Sequence, residues 1–72
     1  MDANGPLAVG RSALARGDWT AARDAFQAAW DDQGLAEALD GLGRSLWWLG
    51  DAPGALNARS RAAFALLRRW GA

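Results

Sequence analysis

Apolar runs broken at regular points by glycine, acid and proline divide this chain into four segments, each of helical character. Pro6 suits a first helical turn, and the run it opens continues to Arg16 and stops at Gly17. Asp18 offers a cap for a second helix from about Thr20 to Asp31, followed by a loop of Asp31, Asp32, Gln33 and Gly34. A third helix is predicted over Leu35 to Leu49, stopping at Gly50; Asp51 and Pro53 then open a fourth that reaches Trp70 and is closed by Gly71. On the second helix Ala22 and Ala29 lie seven apart on one face, as Ala55 and Ala62 do on the fourth. The fourth also carries an apolar stripe: Ala63, Leu67 and Trp70 fall within about 40° of Leu56 on a helical wheel. Arg59 sits just inside the edge of that stripe, where its stem is expected to lie along apolar surface with the charge at the rim.

The second half of the chain repeats the first at an offset of 33 residues. Gly10-Arg11-Ser12 recurs as Gly43-Arg44-Ser45, Gly17-Asp18 as Gly50-Asp51, and Ala22, Ala25 and Ala29 as Ala55, Ala58 and Ala62. An abundance of alanine accounts for the alanine matches but not for the paired Gly-Arg-Ser and Gly-Asp. Glycine inside a helix costs roughly 1 kcal/mol against alanine, so Gly10 and Gly43 have to be offset by packing. Small residues on both helices of a hairpin allow close approach, which makes Gly10, Ala22, Phe26 and Ala29 the contact set of the first hairpin and Gly43, Ala55 and Ala62 that of the second. The units are taken as residues 6–33 and 34–72, with 1–5 as an N-terminal tail.

At these residues the chain resembles the tetratricopeptide repeat (TPR), a pair of antiparallel helices with small residues at their contact, a Gly-Asp turn and an aromatic late in the second helix. Gly10, Gly17, Asp18, Trp19, Ala22, Phe26 and Ala29 fall on that pattern in the first unit. Leu39, Leu42, Gly43, Leu46, Gly50, Asp51, Pro53, Ala55 and Ala62 do so in the second, with Arg59 where a large apolar residue is usual. Gly17-Asp18-Trp19, Ala22-Arg23, Leu42-Gly43, Leu46 to Asp51 and Ala58-Arg59 further resemble repeat segments of actinobacterial LuxR-type transcription regulators. The resemblance implies an all-α fold of two tandem helix-turn-helix hairpins, a short α-solenoid. In that family a separate domain binds DNA while the repeats carry protein contacts or regulation.

Composition narrows the function. The chain has 72 residues, enough for one small domain. A quarter of them are alanine, and Val9 is the one β-branched aliphatic, so strands have little to be built from. Cysteine, histidine and lysine are all absent. That removes disulfides, the usual zinc sites and thiol nucleophiles, and leaves Ser12, Ser45, Ser60 and Thr20 without an imidazole or amine base. Asp31 and Asp32 before a glycine read as a solvated loop, and Gly41-Leu42-Gly43 lies inside a helix without the lysine of a phosphate loop. An enzyme is not expected, nor a cofactor or a bound metal. The N-terminus lacks a basic and then apolar leader, and the longest apolar run, Ala62 to Leu67, is far short of a membrane span, so a cytoplasmic protein is expected.

Charge is balanced as a whole but not along the chain. Residues 1–51 hold four arginines and eight acids, a net −4, whereas residues 52–72 hold Arg59, Arg61, Arg68 and Arg69 and no acid, a net +4. Arginines late in a helix also complement its dipole, and a pI near 6.0 argues against a nucleic-acid partner.

The resemblance places Asn4, Leu7, Arg11 and Leu14 of one unit beside Glu37, Asp40, Arg44 and Trp47 of the next on a concave face. Of these, Arg11, Leu14, Asp40, Arg44 and Trp47 form the candidate partner-binding set: two planar guanidinium forks at one register beside an apolar platform suit an acidic or C-terminal peptide. The clamp that chaperone-binding relatives use is not matched, because Leu7 and Asp40 stand where a basic residue is needed. The alternative is that Arg11 and Arg44 pair with local acids. Two repeats without a polar capping helix leave Leu66, Leu67 and Trp70 in need of cover, so self-association into a homo-oligomer is expected. The functional expectation is thus a protein-binding or assembly module. A structural piece of a longer regulator and a nucleic-acid contact through the last helix are its alternatives.

Overall fold

The computed structural model describes residues 5–70, so Asn4 and Gly71 lie outside it. The fold is all-α, with α1 (Pro6–Ala15), α2 (Trp19–Gln33), α3 (Ala36–Trp48) and α4 (Ala52–Trp70). Consecutive helices pack side by side as antiparallel hairpins, and α1 touches α3 only lightly. The result is a slab 37 × 33 × 16 Å.

The repeat is visible in the turns atom by atom. After α1 the Gly17 amide donates to the Leu14 carbonyl (3.2 Å) and the Asp18 amide to that of Ala13 (2.9 Å). After α3 the Gly50 amide donates to the Trp47 carbonyl (3.0 Å) and the Asp51 amide to that of Leu46 (2.9 Å). Both closures need a left-handed residue, which glycine supplies at φ 79° and 86°. The following carboxylate then caps the next helix: Asp18 Oδ1 accepts from the Ala21 amide (3.2 Å) and Asp51 Oδ1 from the Gly54 amide (3.0 Å).

One boundary departs from the sequence reading. The loop placed at Asp31 to Gly34 is helical up to Gln33, and Gly34, left-handed at φ 62°, makes the stop. Nothing breaks the helix earlier: Gln27 Nε2 donates to Asp31 Oδ1 four residues on (3.0 Å), which ties the last turn to the one before it.

Ala13, Ala22, Phe26, Ala29, Ala38, Leu39, Leu42, Ala55, Ala58 and Ala62 form the buried apolar set. Its centre is the Phe26 ring, lying in a slot between α1 and α3. The slot exists because both its walls are glycine. A Cβ added to Gly10 would come within 2.9 Å of the ring, and one added to Gly41 within 2.5 Å of its Cζ. In the second hairpin Gly43 plays the part of Gly10: a Cβ there would lie 3.3 Å from the Ala55 carbonyl oxygen and 3.2 Å from Arg59 Cγ. Arg59 thus lays its stem over Gly43 where Phe26 lays its ring over Gly10. Gly43→Leu is expected to overpack this contact and cost about 1 to 3 kcal/mol; a lowered urea midpoint checks it, and an unchanged one refutes the packing.

The fourth helix packs through its alanines, not through its larger side chains. Ala55, Ala58 and Ala62 are buried, whereas the stripe of the sequence reading faces outward, with Leu56 67%, Leu67 65% and Trp70 81% exposed. Phe64 is 68% exposed on the same helix.

Candidate functional site

The candidate partner-binding residues come from two helices that the turns bring parallel to each other, α1 and α3. Arg11, Leu14, Asp40 and Arg44 line one hollow of about 140 Å³, together with Phe26, Glu37 and Gly41. Trp47 does not share it. One turn beyond Arg44, it lines a neighbouring hollow of about 210 Å³ with Gly43, Arg44, Leu56 and Arg59. Arg44 stands between the two. Leu7 and Leu14 are half-buried and pack against the core; Leu14 lines the first hollow, whereas Leu7 lines a separate one with Pro6, Ala8 and Asp32.

Both arginines have acidic neighbours. Arg11 Nη2 reaches Glu37 Oε2 across the two units at 3.1 Å, and Arg44 Nε lies 3.4 Å from Asp40 Oδ2 one turn back on α3. All four side chains are more than half exposed, and ion pairs of that kind contribute about 0 to 1 kcal/mol. They orient the guanidinium groups without locking them, and a competing carboxylate can exchange for either acid.

The helix-packing set is buried throughout: Gly10, Ala22, Phe26, Ala29, Gly43, Ala55 and Ala62. Leu66, Leu67 and Trp70 are all exposed. Ser45, one of the few hydroxyls, is fully buried and donates to the Gly41 carbonyl at 2.9 Å, which satisfies it inside its own helix. Among the described residues no group of three or more acids could hold a metal ion, and no helix is long and apolar enough to cross a membrane.

Three features have no counterpart in the sequence reading. A hollow of about 310 Å³ on the opposite side of α3 is lined by Arg23, Gln27, Leu42, Leu46, Asn57 and Arg61, among others. Beside it the Arg61 guanidinium sits 5.6 Å from the centre of the Trp30 ring, a cation–π contact. Trp19 and Trp48 stack with centroids 5.2 Å apart and planes 13° from parallel, joining the start of α2 to the end of α3. None of these residues matches its repeat-mate in type, so the offset alone could not single them out.

Comparison with protein families, with curated proteins and with solved structures finds no match for this chain.

Proposed function

We propose that this protein is a protein-interaction module of tetratricopeptide type whose α1–α3 face takes an acidic peptide or the acidic side of a partner helix. One observation carries the reading. Two arginines at the same register of successive units meet in one hollow, each held only by an exposed acid, with the Trp47 indole beside the second. Planar guanidinium forks donate to carboxylates in two-pronged contacts, and the exposed indole supplies a flat apolar surface.

The local acids sharpen the test, because an incoming carboxylate must compete with Glu37 and Asp40. Glu37→Gln and Asp40→Asn are each expected to tighten binding of a short acidic peptide a few-fold. Arg44→Lys is expected to weaken it, since a point charge cannot reproduce the fork, and Arg68→Gln to leave it unchanged. Titration calorimetry at two salt concentrations reads all four, with affinity falling as salt rises because exposed charges are screened within roughly 8 to 10 Å. Equal losses at Arg44 and Arg68 would replace this reading with diffuse attraction to the basic last helix. Tighter binding of single-stranded nucleic acid than of peptide would do the same.

A further inference from the structure

The exposed face of α4 has an internal template, because α2, its repeat-mate, is covered on the corresponding side by α3. The hollow formed by Gly43, Arg44, Trp47, Leu56 and Arg59 is, residue for residue at an offset of 33, the surface formed in the first unit by Gly10, Arg11, Leu14, Arg23 and Phe26. On the first unit that surface is where α3 lies, with Gly41 against the Phe26 ring and Glu37 on Arg11. What covers the second unit should therefore be a helix of the same type as α3.

The chain contains such a helix, and among the described residues no other helix covers its matching side as α2 covers that of α3. Gly41 approaches α2, and Ala38 and Ser45, three back and four on, share its side of the helix and are fully buried. Their mates are Gly5 at the N-cap of α1 and Ala8 and Ser12 on the helix, equally small, and Ala8 and Ser12 turn away from the side on which Gly10 and Ala13 are buried. The opposing residues vary in step. Gly41 faces a rigid, enclosed Phe26 ring; its mate Ala8 would face Arg59, an exposed and flexible side chain that can make room for a methyl.

We propose that α1 of a second copy docks on the outward face of α4, along Leu56, Arg59, Ala63 and Leu67, and that repetition of this contact stacks copies head to tail. Charge selects this arrangement over a symmetric pairing of two α4 helices, which would bring together two segments that each carry Arg59, Arg61, Arg68 and Arg69 and no acid. In the head-to-tail contact the antiparallel packing places the N-terminal turn of α1 near the C-terminal turn of α4. Asp32 shares a hollow with Gly5, Pro6 and Ala8 at that N-terminal turn, so it is carried towards Arg68 and Arg69 of the neighbouring copy.

A contact between two different faces leaves one face of each kind free at the ends of a stack unless the copies close into a ring. Sedimentation equilibrium on the full chain is expected to give a weight-average mass that rises with concentration past that of a dimer, and less steeply at high salt. Ser12→Arg blocks the α1 side and Leu67→Arg the α4 side, both at exposed positions. Each variant alone is expected to stay monomeric with unchanged helical circular dichroism, and an equimolar mixture to form a complex of one chain of each kind, because each retains the face the other has lost. Ala8→Arg and Leu56→Arg give an independent pair should either variant lose helix. A wild-type chain that remains monomeric to about 1 mM, a mass that levels off at the dimer, or a mixture that stays monomeric would overturn the proposal. Peptide titration of monomeric Leu67→Arg, whose substitution lies outside both hollows that Arg44 lines, keeps this outcome separate from that of the α1–α3 face.

Discussion

Phe26→Ala is expected to leave the chain largely unfolded at room temperature. The ring is 2% exposed and is the largest side chain at the centre of the core. Truncating a buried phenylalanine costs about 3 to 5 kcal/mol, most when the site cannot collapse. Here collapse is hindered from both sides: the walls of the slot are Gly10 and Gly41, which have no side chains to swing inward. A core of this size rarely supplies more than about 3 to 5 kcal/mol in all, so the loss is comparable to the total. Far-ultraviolet circular dichroism with a urea titration checks it. A cooperative transition at the wild-type midpoint would show that the ring is not the keystone of the α1–α2–α3 contact.

Gly41→Ala tests the same slot from its other wall, and its sign is the informative part. In an ordinary helix interior the change is favourable by roughly 1 kcal/mol. At Gly41 the new methyl would fall within 2.5 Å of Phe26 Cζ, so a ring that is only 2% exposed would have to shift within a packed core. Overpacking of this kind costs about 1 to 3 kcal/mol, so the net change is expected to be destabilising. Combining Gly41→Ala with Phe26→Leu should cost less than the sum of the two single changes, since the smaller side chain vacates the space the methyl needs. Additive losses in chemical denaturation would place the two residues out of contact.

These two residues also mark where sequence reasoning stops. Gly43 announces itself by recurring as Gly10, and the Gly-Asp turns recur with the same hydrogen bonds, so the four helices and their hairpin pairing follow from local signals. Gly41 has Ala8 as its mate, and Phe26 has Arg59. The close approach of Gly41 to Phe26 is thus one the repeat does not carry, and only the packing of α3 on α2 creates it. The candidate face divides the same way. The common register of Arg11 and Arg44 is legible, because it is a matter of spacing along the chain. The reach of Glu37 to Arg11 is not, since it joins residues from different units whose approach the Phe26 slot sets. The outward stripe of α4 was visible as a stripe, but periodicity alone does not say which of two small-or-apolar faces turns inward. The alanines win because only they allow Gly43 to come this close to the Ala55 backbone.

The Trp19–Trp48 pair gives the molecule an optical signal of its own. Trp19 begins α2 and Trp48 ends α3, so the two indoles are 5.2 Å apart only while the first hairpin is seated on the second. Two chromophores so close and with nearly parallel planes couple as an exciton pair, whose circular dichroism depends on their mutual orientation rather than on helix content. Loss of that couplet ahead of the helical signal during denaturation would register the hairpins parting while each is still coiled. Simultaneous loss would register a single cooperative unit spanning the junction.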